Sequence, residues 1–125
     1  MAIKGKIIDL FSGIGGFSLG FEKVGFKSIL AIDNWSDAIQ SYNLNRKHKV
    51  GTVKGIETFS NKDLKEIVKK EGKIDGIIGG PPCQGFSKNT PVSKRDADSE
   101  NNLLIHEFLR ITKEIKPKNI VIENV

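Results

Sequence analysis

Two hydrophobic periods alternate along this chain. Continuous apolar runs rich in isoleucine and valine have the length of buried strands, and they occupy residues 6–11, 28–33, 74–80 and 119–125. A shorter strand is predicted around Thr52 and Val53. Between these runs, apolar residues recur every three or four positions, which is the period of a helix that packs on one face.

Three of the helical stretches carry a clear apolar stripe. The predicted stripes are Phe17, Phe21 and Val24, then Leu64, Ile67 and Val68, and finally Leu104, Phe108, Ile111 and Ile115. Capping signals support the boundaries of the helices. Gly25 is placed to end the first helix, Asn34 and Asp37 are predicted to cap the second, and Ser60 and Asp63 repeat that pattern for the third.

Strands that alternate with amphipathic helices favour a parallel sheet covered on both faces. Because crossover connections are right-handed, the pattern predicts a doubly wound, mostly parallel α/β sheet. The length of 125 residues fits one hydrophobic core, so residues 1–125 are interpreted as a single domain or part of one.

Composition limits the possible disulfides, metal sites, cellular location and partners of the protein. A single cysteine excludes an internal disulfide, and two histidines beside it predict no metal site. The amino terminus lacks the features of a signal peptide and no window resembles a membrane span, so a cytoplasmic protein without membrane contact is expected. The net charge of +5 favours polyanionic partners. The densest basic group, "RKHK" at residues 46–49, is interpreted as a solvated helix end, with nucleic-acid contact as the alternative.

The first strand leads into a glycine-rich turn, "FSGIGG". Gly13, Gly15 and Gly16 allow a tight turn and a close approach of ligand to the main chain at a helix start. Asp33 ends the second strand, about twenty residues after the glycine-rich turn. This is the spacing at which a carboxylate accepts hydrogen bonds from ribose hydroxyls. Ser18 stands where the dinucleotide pattern requires its last glycine, which favours a smaller nucleoside ligand.

The fourth strand leads into "GGPPCQGFS", which contains the only cysteine. Pro81 and Pro82 restrict the backbone that enters Cys83, whereas Gly85 frees the chain after it. A lone cysteine is usually a small core residue, but this placement in a polar loop at the end of a strand favours a nucleophile. Glu123 follows the fifth strand, beside the fourth, so its carboxyl and the Cys83 thiol are expected to face one crevice. This pair suits attack by the thiol on an electron-poor ring whose nitrogen the acid protonates.

Three stretches in this order and spacing resemble the first, fourth and sixth motifs of DNA cytosine-5 methyltransferases: "DLFSGIGGFSLG", "GGPPCQGFS" and "ENV". The resemblance runs through all 125 residues. It implies a Rossmann-like methyltransferase fold and transfer of a methyl group from S-adenosylmethionine to C5 of a flipped cytosine in double-stranded DNA. A restriction-modification methylase is the expected type.

The same resemblance implies roles for individual residues. Cys83 adds to C6 of cytosine while Glu123 holds N3 and the exocyclic amine. The implied cofactor contacts are Phe11, Ser12, Gly13, Ile14, Gly15, Gly16, Asp33, Asn34, Thr52, Val53, Pro82 and Leu103. The implied substrate contacts are Pro81, Gln84, Gly85 and Ser87.

The chain departs from the family pattern in two residues and in length. Thr52 stands where an acid usually meets the adenine amine, and Glu100 stands where arginine is common. Family members continue past "ENV", so we expect a fragment truncated after the fifth strand, a split subunit that needs a complementary chain, or a remnant. Two other functions are considered, a tRNA cytosine-5 methyltransferase and a non-catalytic nucleoside-binding module.

Overall fold

A computed structural model describes residues 2–82 and 100–123 of the chain. Its strands are β1 (Gly5–Leu10), β2 (Phe26–Asp33), β3 (Gly51–Val53), β4 (Gly76–Gly79) and β5 (Asn119–Ile122). Its helices are α1 (Gly16–Lys23), α2 (Ser36–Leu44), α3 (Asn61–Glu71) and α4 (Glu100–Ile115), with a short 3₁₀ turn at Ile56–Thr58. The 3₁₀ turn was not predicted.

The strands form one parallel sheet in the order β3-β2-β1-β4-β5. The chain therefore winds outward in one direction from β1 to β3 and then in the other from β4 to β5. This arrangement confirms the predicted doubly wound α/β fold. Strand boundaries moved by one to a few residues, for example from 74–80 to Gly76–Gly79.

Side-chain alternation in β1 divides the interior between the two faces of the sheet. Ile8 and Leu10 belong to a cluster that includes Leu64 of α3 and Phe108 of α4. Asp9 lies between Ile8 and Leu10 in the strand, so its side chain points to the other face of the sheet, toward the layer formed by α1 and α2. The predicted stripes of α3 and α4 thus pack on the sheet, with Phe108 and Ile111 almost fully buried.

The aromatic stripe of α1 does not pack on the sheet in the same way. Its buried residue is Ser18, whereas Val24 is exposed. Phe17 and Phe21 lie 5.7 Å apart by ring centroids, and Phe21 lies 5.5 Å from Phe26, so these rings form a half-buried patch. The prediction that these positions share a face is confirmed, but α1 turns a small polar residue toward the sheet because Asp9 lies there.

The two predicted capping pairs have different outcomes. In α3, the Ser60 hydroxyl accepts a hydrogen bond from the Asp63 amide and the Asp63 carboxylate accepts one from the Ser60 amide, which confirms the capping box. In α2 the prediction was wrong, because the N-cap is Trp35 and no side chain caps the helix. Asp33 accepts a hydrogen bond from the Trp35 amide, and so fixes the chain as it enters this helix.

β5 is an outer strand of the sheet, and its side chains are open on both faces. Ile120, Val121 and Ile122 remain 46%, 40% and 46% exposed. Such an edge presents unpaired backbone groups beside apolar side chains. Within residues 2–82 and 100–123, no helix has both the length and the apolar character needed to cross a bilayer.

Candidate functional site

The candidate site lies at the carboxyl ends of β1, β2, β4 and β5. The direction of winding changes between β1 and β4, and in open α/β sheets ligands bind in the crevice that this change creates. Each of these strands ends at a residue, or runs into a loop, that the sequence had marked as functional. The fold therefore brings the predicted residues to one edge of the molecule.

The glycine-rich turn leaves β1 through an unusual backbone conformation. Phe11, Gly13 and Gly15 have φ angles of 59°, 54° and 91°. The turn is tied to β2, since the Ser12 amide donates to the Ile32 carbonyl over 2.9 Å. It closes on itself through a 2.9 Å bond from the Gly15 amide to the Ser12 carbonyl. The positive φ angles explain why glycine is needed at Gly13 and Gly15.

Asp33 joins this turn to the start of α2. One carboxylate oxygen accepts from the Gly13 amide at 2.9 Å, and the other accepts from the Trp35 amide at 2.9 Å. Each carboxylate oxygen can accept more than one hydrogen bond, so the side chain keeps acceptor capacity for a ligand hydroxyl. The structure thus brings Gly13 and Asp33 together, as their spacing predicted.

Space for a ligand lies on one side of the turn only. Among the described residues, no atom lies within 4 Å of a Cβ atom placed on Gly13 or Gly16. A Cβ atom on Gly15 meets the Tyr42 ring at 2.5 Å, so that glycine is packed against the protein. Ile14 is 64% exposed at the tip of the turn. The open side is where a ligand can approach the main chain.

A narrow cleft continues from the turn along the end of β2. Residues on its wall include Phe11, Asp33, Asn34 and Leu104. Leu103, the predicted contact, is 55% exposed and is not on this wall, whereas the adjacent Leu104 is. The wall also includes four residues after β3 that were not predicted, Lys54, Gly55, Ile56 and Glu57. Only the register of β3 beside β2 brings them here.

Two further predicted cofactor residues, Thr52 and Val53, lie beside this cleft. Thr52 and Val53 are exposed in β3 and pair with Ile32 and Asp33 of β2. After β4, Pro81, a predicted substrate contact, is buried, and Pro82, a predicted cofactor contact, is partly buried. Among the described residues, no group of three His, Cys, Asp or Glu side chains is arranged to hold a metal ion.

The second part of the site is the exit from β4. The Glu123 amide donates to the Gly79 carbonyl at 2.9 Å. A Cβ atom on Gly80 would lie 2.8 Å from a carboxylate oxygen of Glu123, so this carboxylate lies directly against the backbone that leaves β4. The predicted Cys83, Gln84, Gly85 and Ser87 fall outside the described residues.

A larger groove, of about 420 Å³, lies at the opposite end of the sheet. Its wall includes Ile3, Phe26, Lys27 and His48. Phe26 begins β2, at the end of the strand opposite Asp33, whereas Arg46, which also lines this groove, contacts Gly15. Of the predicted cofactor and substrate residues that the structure describes, none lines it, and its size alone does not make it the functional site.

Comparison with known proteins identifies relatives of this arrangement. Residues 5–125 match the model of the family described as C-5 cytosine-specific DNA methylase. The Type II methyltransferase M.DdeI of Desulfomicrobium norvegicum is 45% identical over 120 residues, which cover 96% of this chain and 28% of that relative. The chain therefore spans less than a third of the length of this relative.

Two solved structures share the fold. A structure described as a DNA modification methyltransferase encoded within an Escherichia coli prophage superposes with a TM-score of 0.81 at 35% identity, covering 98% of this chain and 32% of that one. The S. pombe Dnmt2 methyltransferase gives a TM-score of 0.70 at 25% identity, covering 97% and 34%. The sheet described above is thus the Rossmann-like sheet of methyltransferases.

Proposed function

Because the chain belongs to the C-5 cytosine-specific DNA methylase family, we propose that it supplies the cofactor site and the catalytic side chains of a DNA cytosine-5 methyltransferase. The proposed substrate is double-stranded DNA, and the proposed type is a restriction-modification methylase. Its relative from D. norvegicum carries the name of a Type II methyltransferase, which supports this type.

The residues at the ends of β1 and β2 fit S-adenosylmethionine. When bound, this cofactor supplies an electrophilic methyl group. The open side of Gly13 and Gly16 accommodates a ligand against the main chain, and the carboxylate of Asp33 can accept hydrogen bonds from ribose hydroxyls. The cleft lined by Phe11, Asn34 and Leu104 offers an apolar wall beside a polar group, which suits a purine ring.

The proposed chemistry uses Cys83 and Glu123. The Cys83 thiolate adds to C6 of a cytosine that has been flipped out of the duplex. Glu123 donates a proton to N3, so that the ring accepts the electron pair and C5 becomes nucleophilic. After C5 is methylated, loss of the C5 proton and of the thiolate restores the aromatic ring and frees Cys83.

The observation that carries this proposal is the position of Glu123. Its carboxylate lies against Gly80, three residues before Cys83 in the sequence. A carboxyl group held at the exit of β4 can reach a ring that is attacked by a thiol from the following segment. Cys83 itself enters the proposal through the family motif.

The proposed DNA site also needs the remaining motifs of the family. This chain spans 28% of its relative M.DdeI. The exposed apolar side chains of β5 on both faces of the sheet offer a surface for further structure to pack on. We infer that a chain carrying the remaining motifs of the family binds along β5 and completes the DNA site.

The test is trapping of the covalent intermediate. The chain is combined with a complementary chain, S-adenosylmethionine and duplex DNA that bears 5-fluorocytosine at its target. We expect an adduct that survives denaturant, because fluorine cannot leave C5 as a proton does. Cys83→Ser should abolish the adduct and Ser93→Ala, a substitution ten residues further along the sequence, should not. An adduct that persists in Cys83→Ser would contradict the assignment, and a tRNA acceptor in a parallel assay tests the RNA alternative.

A further inference from the structure

Arg46 occupies an unexpected position. The sequence placed it in the basic group at residues 46–49, interpreted as a solvated helix end, and for this residue the prediction was wrong. Its side chain is only 7% exposed. The guanidinium lies over the Tyr42 ring, 3.8 Å from the ring centroid, whereas Lys47 and His48 next to it are exposed.

The guanidinium of Arg46 is directed at the glycine turn. One terminal nitrogen donates to the Gly15 carbonyl at 2.5 Å, and the other lies 3.4 Å from the Ile14 carbonyl. The same group reaches α1, at 3.3 Å from the Ser18 hydroxyl and 3.3 Å from a Glu22 carboxylate oxygen. One buried side chain at the end of α2 therefore connects the turn with both helices of its layer.

These contacts determine which side of the turn is open. The carbonyls of Ile14 and Gly15 are held inward by Arg46, and Gly15 is packed against the guanidinium and the Tyr42 ring. A Cβ atom on Gly15 would lie 2.6 Å from a terminal nitrogen of Arg46. No described residue fills the opposite side, at Gly13 and Gly16. The shape offered to a ligand thus depends on a side chain that lies on the packed side of the turn.

We propose that Arg46 is a positioning residue of the cofactor site, which holds the glycine turn in its ligand-receiving shape through the Ile14 and Gly15 carbonyls. The ligand in this statement rests on the proposed function, whereas the effect on the turn rests on the contacts alone. A planar guanidinium can donate to two carbonyls at once, and a lysine ammonium at the same place keeps the charge but not the fork.

Hydrogen exchange of single amides tests the effect on the turn. The amides of Gly13, Gly15 and Leu19 report on it because each donates a hydrogen bond within or beside the turn. In Arg46→Met, we expect these amides to exchange about 10- to 100-fold faster, as loss of a buried charged donor implies. The exchange rates of amides in the centre of the sheet should change far less. Lys47→Met serves as the matched control.

Arg46→Lys separates the effect of donating to two carbonyls from the effect of the positive charge. We expect the turn amides to exchange at a rate between those of wild type and Arg46→Met, because lysine can pair with Glu22 but cannot hold both carbonyls. If Arg46→Met proves too unstable to study, this variant alone decides. Turn amides that exchange at the wild-type rate in Arg46→Lys, or equal acceleration of turn and sheet amides in either variant, would overturn the proposal.

Calorimetric titration with S-adenosylmethionine tests whether Arg46 affects cofactor binding. We expect the dissociation constant to rise about tenfold or more in Arg46→Met, less in Arg46→Lys, and not at all in Lys47→Met. A wild-type chain that does not bind S-adenosylmethionine would contradict the proposed function, while the exchange data would still decide the role of Arg46. Unchanged affinity in Arg46→Met, beside a wild type that binds, would overturn the positioning role.

Discussion

Among single residues, Asp9 has the least favourable surroundings for a charge. It is fully buried in β1, and neither carboxylate oxygen has a hydrogen-bond partner among the residues that the structure describes. Burial raises the pKa of Asp9 from 3.8 to about 7, and the nearby Ser18 and Arg46 offset only part of that effect. The folded chain therefore keeps a proton that the unfolded chain releases.

This shift predicts a stability that falls as pH rises. Between the unfolded and folded pKa values, the unfolded chain has lost the proton while the folded chain retains it, so each pH unit from about 4 to 7 costs stability. The total is at most about 4 kcal/mol. Urea unfolding at pH 5 and pH 7.5 should show the loss in wild type. Asp9→Asn should flatten it, while the exposed Asp37→Asn should not.

Glu123 is the second residue for which the structure supports a sharp expectation. It contacts the exit of β4 and is not among the residues of the cleft beside Asp33. In the assembly with a complementary chain, Glu123→Gln should slow methyl transfer by about 10²–10⁴-fold, as loss of a general acid implies. The affinity for S-adenosylmethionine should stay within about twofold of wild type.

Single-turnover methyl transfer and calorimetric titration measure the two quantities separately. Glu66→Gln provides the control, because Glu66 is an exposed carboxylate on α3. A cofactor affinity that falls in step with the rate would show that Glu123 acts at the cofactor site instead of at the ring.

At the scale of elements, the capping box of α3 contributes measurably to the free energy of unfolding. The Ser60 hydroxyl accepts from the Asp63 amide at 3.1 Å, and the return bond measures 3.0 Å. Ser60→Ala should lower the free energy of unfolding by about 1 kcal/mol. Ser36→Ala, at the start of α2 where no side chain caps the helix, should change it much less. Urea unfolding at pH 7 compares the two, and equal losses would contradict the role assigned to Ser60.

At the scale of the whole molecule, β5 makes the isolated chain prone to associate. Three neighbouring apolar side chains are about half exposed on an unpaired strand edge. We therefore predict that the purified chain self-associates at micromolar concentration and does not methylate DNA by itself. Val121→Lys should reduce association in sedimentation experiments, because a charge on an outer strand opposes pairing. Leu44→Lys, at an exposed position on α2, should leave it unchanged.

Tritiated methyl transfer to DNA checks the second half of this prediction. The lone chain should give no product, and addition of a complementary chain should restore transfer. Turnover by the lone chain, or a monomer at all concentrations, would contradict the role assigned to β5.

Much of the fold follows from local patterns in the sequence. Strand and helix periods, the Ser60 cap and the need for glycine at Gly13 and Gly15 depend on neighbours within a few residues, so they can be read along the chain. The parallel, doubly wound sheet follows as well, because alternating elements and right-handed crossovers leave few topologies. Proximity of Gly13 to Asp33 was predicted for the same reason.

Contacts between distant segments were decided only by the tertiary structure. The aromatic stripe of α1 faces outward because Asp9, from another element, occupies the sheet beneath it. Arg46 looks like a solvent-exposed cation in sequence, and becomes buried only because Tyr42 and the turn at Gly15 surround it. Hydrophobic period and capping are properties of a segment, whereas the partner of a charge depends on which segments the sheet order places side by side.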